Sequence, residues 1–131
     1  NLVARDYAAS AAACGEADAA RARLQFLYER APGLDVLHAL NSLDSDDASR
    51  KHRLAAHLQT QPTLSAAYEV LKAQGGGDAV AQALREAVGH AAKPLQRYRC
   101  AACGFEVQHY FWQCPGCLNW DSYPPQRLED L

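Results

Sequence analysis

The chain has 131 residues, about one ordinary domain, and its 49% hydrophobic and 21% charged residues are the balance of a globular protein able to bury a core. A formal charge of −2 is too near neutral to direct the chain to nucleic acid or an anionic membrane surface. No apolar run approaches the ~20 residues of a membrane-spanning helix, and Asn1 at the start with no methionine anywhere points to a piece of a longer chain.

Helical periodicity runs from the start to Lys93. Ala20, Leu24, Leu27, Tyr28 and Ala31 recur at spacings of three and four, which predicts a helix over 17–31 with one buried face. Leu64, Ala67, Tyr68 and Leu71 do the same, as do Val80, Leu84, Ala87, Val88 and Ala91. Breakers at Cys14-Gly15, Pro32-Gly33, Asp44-Ser45-Asp46-Asp47, Pro62 and Gly75-Gly76-Gly77 separate six helices, near 2–13, 17–31, 34–42, 46–60, 63–74 and 78–92. Cys14, at the end of the first, is expected to be a small packed residue. Arg50, Lys51 and Arg53 follow Asp44, Asp46 and Asp47, the order of acids at a helix N-terminus and a solvated face beyond.

Superposing Pro32 on Pro62 pairs Leu24 with Leu54, Tyr28 with Leu58, Leu34 with Leu64 and Leu40 with Val70. A repeat near 30 residues predicts stacked helical hairpins, with a plain six-helix bundle as the alternative. The segment Gly15 to Pro32, with Ala19, Ala22 and a closing proline, resembles the second helix of a tetratricopeptide repeat.

Composition changes around residues 93–97, which divides the chain into a helical repeat domain over 1–93 and a second domain over 97–131. The second holds Cys100, Cys103, Cys114 and Cys117, a C-x2-C-x10-C-x2-C pattern. Paired C-x-x-C turns converge four thiolates on one tetrahedral ion. Gly104, Pro115 and Gly116 are residue types such turns accept. Two disulfides would leave Cys14 over and need an oxidising compartment that no signal sequence indicates. A segment of about 35 residues is too short for a hydrophobic core alone, so the metal substitutes for one. Extended segments are expected at Gln96–Arg99, Glu106–Phe111 and Leu118–Tyr123, with Phe105, Trp112 and Trp120 covering the site.

The run Tyr98-Arg99-Cys100-x-x-Cys103-Gly104-Phe105, then Trp112-x-Cys114-Pro115-x-Cys117-x-x-Trp120, resembles the rubredoxin-type domain of the lipopolysaccharide assembly protein B (LapB, YciM) family. That resemblance implies tetratricopeptide repeats ahead of the ribbon and metal ligation by Cys100, Cys103, Cys114 and Cys117. It also implies an adaptor at the cytoplasmic face of the bacterial inner membrane. Such an adaptor regulates lipopolysaccharide synthesis by helping the protease FtsH degrade the deacetylase LpxC. The chain departs from true rubredoxins in a shorter stretch between knuckles and in Leu118, where they carry glycine after the last ligand. Zinc and iron(II) both accept a tetrathiolate, and zinc is the preferred ion, with iron the alternative.

Other classes fare worse. There is no Gly-rich phosphate loop and no His-Glu-x-x-His, and four sulfurs on one metal leave no open position for catalysis. His109 is expected at the surface. Residues 97–131 hold three arginines, no lysine and four acids, net −1, against a nucleic-acid-binding ribbon. A rubredoxin-like electron carrier, or a generic repeat-based interaction module, is the alternative. A repeat-containing glycosyltransferase would lack its catalytic domain. The ribbon is expected to pack on the last hairpin through its aromatics.

Overall fold

The computed structural model describes residues 2–131 and divides into two compact units, Asn1–Pro62 and Thr63–Leu131. The architecture is mainly helical with a small β module: six α-helices precede a two-stranded sheet.

The first unit contains α1 (Ala4–Ala13), α2 (Ala17–Arg30), α3 (Leu34–Ser42) and α4 (Asp47–Thr60). Its core joins Ala4 and Ala8 of α1, Leu24 of α2, and Val36, Ala39 and Leu40 of α3, with Tyr28 and Leu43 packed at the edge. Alanines on α1 let the helices approach closely, while α3 buries Val36, Leu37, Ala39 and Leu40 together and so forms the centre. Leu27 departs from expectation: it is 43% exposed, because α2 turns only Ala20 and Leu24 fully inward. Cys14 is exposed as well, since Ala11 holds the inward position of the last turn of α1. The Tyr28 hydroxyl lies 2.7 Å from Nδ1 of buried His57, tying α2 to α4.

The first turn of α4 is built as its acidic run predicts. Asp46 accepts the Ala48 N–H at 3.3 Å as N-cap, and Asp47 pairs with Lys51 at 2.7 Å and with Arg50 at 3.5 Å. The 30-residue repeat is visible in backbone form. Helices α2 and α4 both have 14 residues and start at Ala17 and Asp47, while α3 and α5 (Leu64–Gln74) start at Leu34 and Leu64. The residues ending α2 and α4 have matching conformations, Ala31 at φ −145°, ψ 83° and Gln61 at φ −132°, ψ 86°.

In the second unit α5 packs on α6 (Ala79–Ala92). Thr63 caps α5 and Asp78 caps α6, the latter accepting the Ala81 N–H at 2.7 Å. Contact is through small residues: a Cβ on Gly89 would sit 2.8 Å from the Tyr68 ring, so only glycine admits that ring, and Ala92 is buried beyond it. The apolar stripe expected to be the buried face of α6 is therefore the open one, with Val80 76% and Leu84 52% exposed. A 3-10 turn, Lys93–Gln96, leads to β1 (Tyr98–Arg99), which pairs antiparallel with β2 (Glu106–Val107). Tyr98 and Val107 face inward, while Arg99 and Glu106 pair across the outer face at 2.7 Å. The expected third extended segment is reduced to one bridge, Gln113 to Trp120.

Candidate metal centre

Two turns of the same construction deliver the four cysteines. In the first, Gly104 N–H donates to the Cys100 carbonyl and Cys100 N–H to the Phe105 carbonyl, both at 2.9 Å. In the second, Leu118 N–H donates to the Cys114 carbonyl and Cys114 N–H to the Asn119 carbonyl, again at 2.9 Å. Both turns close through a left-handed residue, Gly104 at φ 78° and Leu118 at φ 60°. Glycine takes that conformation freely, whereas leucine takes it against the clash of its Cβ with the carbonyl. Leu118 stands where a true rubredoxin carries glycine, and the turn forms all the same.

The sulfurs fit a tetrahedral ion. A metal–sulfur bond of about 2.3 Å sets tetrahedral sulfur–sulfur edges of about 3.8 Å. Cys100 and Cys117 Sγ are 3.8 Å apart, Cys103 and Cys114 Sγ are 3.7 Å apart, and all four lie within 4.8 Å of one another. A disulfide would bring two sulfurs to about 2.05 Å. The Cys100–Cys117 and Cys103–Cys114 pairs both cross between the turns, so the cluster joins one turn to the other.

The surroundings favour thiolates at some positions and resist four at once. Ser122 Oγ lies 3.2 Å from Cys100 Sγ, and that hydroxyl, with the Cys103 and Ala102 N–H groups, pulls the Cys100 thiol down to about 6 against burial. At Cys114, burial opposes ionisation, but the Tyr123 hydroxyl and the Cys117 and Gly116 N–H groups lower the thiol pKa overall. Cys103 is pushed up to about 12: the Phe105 N–H favours its thiolate, yet burial and the neighbouring thiols of Cys117, Cys100 and Cys114 outweigh it. A divalent cation at the centre removes this conflict, which is the electrostatic reason the donor set suits one.

Tyrosines, not tryptophans, form the wall. Tyr123 is buried with its hydroxyl 3.5 Å from Cys114 Sγ, and Tyr110 donates to the Tyr123 carbonyl at 3.1 Å while packing edge-on against Tyr98. Trp112 and Trp120, expected as covers, are 64% and 71% exposed; Trp112 packs edge-to-face with Tyr110, at 5.1 Å between ring centres. Phe105 is intermediate in role: half-exposed, yet packed on Gly116 of the second turn. A tyrosine can bury its ring and still satisfy a sulfur or carbonyl, as Tyr123 and Tyr110 do. Tyr110, Ser122 and Tyr123 escape a reading of the cysteine spacing because nothing in that spacing marks them. His109 is exposed, as expected.

Residues 98–125 match the family model of the LapB zinc ribbon, described as a rubredoxin metal binding domain. Lipopolysaccharide assembly protein B of Escherichia coli (strain K12) is 27% identical over 114 residues, covering 79% of this chain and 29% of the relative. The protein of that name from Haemophilus influenzae is 38% identical over 42 residues, covering 32% of this chain and 11% of the relative. The chain thus spans less than a third of the length of these relatives. Over residues 98–125 the chain matches the ribbon of the lipopolysaccharide assembly protein B family, and over 79% of its length it is similar to a protein of that name.

Proposed function

We propose that the chain is the helical-repeat and ribbon part of a non-enzymatic adaptor that regulates lipopolysaccharide synthesis. Residues 1–93 act as tetratricopeptide-like repeats and residues 97–131 as a metal-binding domain held by one structural zinc ion, with iron(II) the alternative. The observation that carries the reading is the clustering of four cysteine sulfurs within 4.8 Å of one another, which on one tetrahedral ion would fill every coordination position and leave none for a bound water, so the ion would shape the ribbon. The names of the relatives supply the pathway.

On this reading the adaptor presents the deacetylase LpxC to the protease FtsH at the cytoplasmic face of the inner membrane. No helix among the described residues is long and apolar enough to cross a membrane, so anchoring would fall to other segments or to the partner. The test is a pull-down from a Gram-negative lysate using intact chain and the Cys103→Ser/Cys114→Ser variant. Metal-dependent recovery of the protease or the deacetylase supports the reading, and recovery of neither overturns it. Metal analysis with visible absorption decides the ion: stoichiometric, reversibly reducible iron would favour an electron carrier.

A further inference from the structure

Between α5, α6 and the turn that follows runs a groove of about 750 Å3, lined by Tyr68, Lys72, Arg85, Glu86, His90 and Lys93 among others. Its floor exists because Gly89 has no side chain and the Tyr68 ring packs close against it. The lining carries three fixed positive charges against one negative, in a chain whose net charge is −2. That lone acid is already engaged, accepting from Gln82 Nε2 at 3.2 Å. Arg85 donates to the Gly76 carbonyl at 2.9 Å, and among the described residues no carboxylate pairs with Arg85 or Lys93. Lys72 reaches Glu69 only at 4.0 Å, with 64% of its side chain exposed.

Elsewhere the cations are mostly paired: Arg50 and Lys51 with Asp47, Arg53 with Asp44, Arg97 and Arg99 with Glu106. Lys72 and Lys93 sit near helix C-termini, where a cation offsets the dipole. Arg85 is in mid-helix and has no such role. A small-molecule site would be enclosed, whereas this groove opens to solvent and carries charged and amide side-chain ends from two helices and the turn that follows.

We propose that this groove docks an acidic, extended segment of a partner protein, a proposal that rests on the adaptor reading and names the chemistry its partner would carry. Glutamates or aspartates of the segment meet Lys72, Arg85 and Lys93, and its backbone lies over Tyr68 and Gly89.

The probe is a fluorescein-labelled ten-residue peptide alternating Glu and Ala, titrated against the full chain by anisotropy. Binding that weakens with salt, and falls roughly tenfold or more in Arg85→Glu/Lys93→Glu while Arg30→Glu leaves it unchanged, supports the groove. Arg85→Gln/Lys93→Gln serves if the reversal costs helical signal. Equal affinity in the groove variants overturns the proposal, as does no binding by the unmodified chain. Inorganic pyrophosphate binding more tightly than the peptide overturns it in favour of a phosphate site. Partner recovery that survives Arg85→Glu/Lys93→Glu sinks the groove while leaving the adaptor standing.

Discussion

Stripping the metal, by a strong chelator or by Cys100→Ser/Cys117→Ser, should unfold the ribbon and spare most of the helix. Structural zinc in a thiolate site is worth ~10–16 kcal/mol in apparent free energy, as much as the whole stability of an ordinary domain, roughly 5–15 kcal/mol. Against that, the ribbon's own apolar core is Tyr98, Val107 and Tyr123 plus the sulfurs. Full burial of a large apolar side chain contributes about 1.5–3 kcal/mol, so three cannot order some 35 residues without the ion. The consequence for the helices is bounded by their distribution. Helices α1 to α4 hold 47 of the 72 α-helical residues, and α5 and α6, which share a compact unit with the ribbon, hold the other 25.

Near-ultraviolet circular dichroism reads the ribbon, through the fixed cluster of Tyr98, Tyr110, Trp112 and Tyr123. It should collapse on metal removal, while the far-ultraviolet signal at 222 nm falls by at most about a third. Tryptophan emission should shift little, because Trp112 and Trp120 are already 64% and 71% exposed. An unchanged near-ultraviolet spectrum after proven metal loss would falsify the structural role of the site. A helical loss well beyond a third would show that the first unit depends on it too.

Leu118→Gly should stabilise the ribbon by about 0.5–1 kcal/mol, since relief of a left-handed leucine, about 1–2 kcal/mol, exceeds the added chain entropy. Slower zinc transfer to a chelator would show it, and faster transfer would contradict it. Gly89→Val should destabilise the α5–α6 hairpin by about 1–3 kcal/mol, because its Cβ falls 2.8 Å from the Tyr68 ring. Thermal melts of this variant and of Gly89→Val/Tyr68→Ala check it: the second change must recover part of the loss. Asp44 is held below its ordinary 3.8, first by the Asp46 backbone N–H and then by Arg53. Its contribution to stability is therefore full above 3.8 and is lost as pH falls from there through the lower folded value. Asp44→Asn should flatten that acid limb in urea titrations across pH 2–5, and a limb as steep as before would refute the assignment.

Six helices, their breakers and the convergence of Cys100, Cys103, Cys114 and Cys117 were legible in the sequence because each rests on local rules: apolar spacing, Pro and Gly punctuation, and paired cysteines. The 30-residue spacing was legible too: helices expected from 17 and 46 begin at Ala17 and Asp47. Which face of α6 would be buried was not. Periodicity marks Val80, Leu84, Ala87, Val88 and Ala91, but the fit of Tyr68 against Gly89 decides the contact, and that fit depends on two residues 21 positions apart. The wall of the metal centre was misread for a related reason. Tryptophan beside a ligand cysteine suggests cover, yet the indole N–H needs a partner that the tyrosines, with hydroxyls, already occupy. The basic groove is invisible to a linear reading because Lys72, Arg85 and Lys93 converge only when the two helices pack.

The change of composition near residue 93 and the division of the compact units at Pro62 mark different things. The first is where chemistry changes from helix-forming alanines to thiolates; the second is where mutual support changes. The chain's last residues return to the start of α5: Glu129 Oε2 accepts the Ser65 N–H at 3.3 Å, and Gln96 Nε2 donates to Ser65 Oγ at 2.9 Å. Ser65 is fully buried, so its N–H is one of the first-turn donors of α5 that solvent cannot satisfy. Thr63 caps the next, on Ala66. Leu128 N–H in turn donates to the Arg97 carbonyl, fastening the tail beside β1. A metal ion on the four cysteines would therefore hold more than its own turns: it would order the ribbon, the ribbon would fix the tail, and the tail supplies the carboxylate that completes α5. Loss of one such cap costs about 1 kcal/mol, small beside the metal term but placed on the hairpin that bears the groove. A bound ion would thus be linked to the groove through Glu129, so Glu129→Gln should loosen the first turn of α5, seen as faster amide exchange at Ser65, while metal binding is unchanged. Unchanged exchange at Ser65 would break that link.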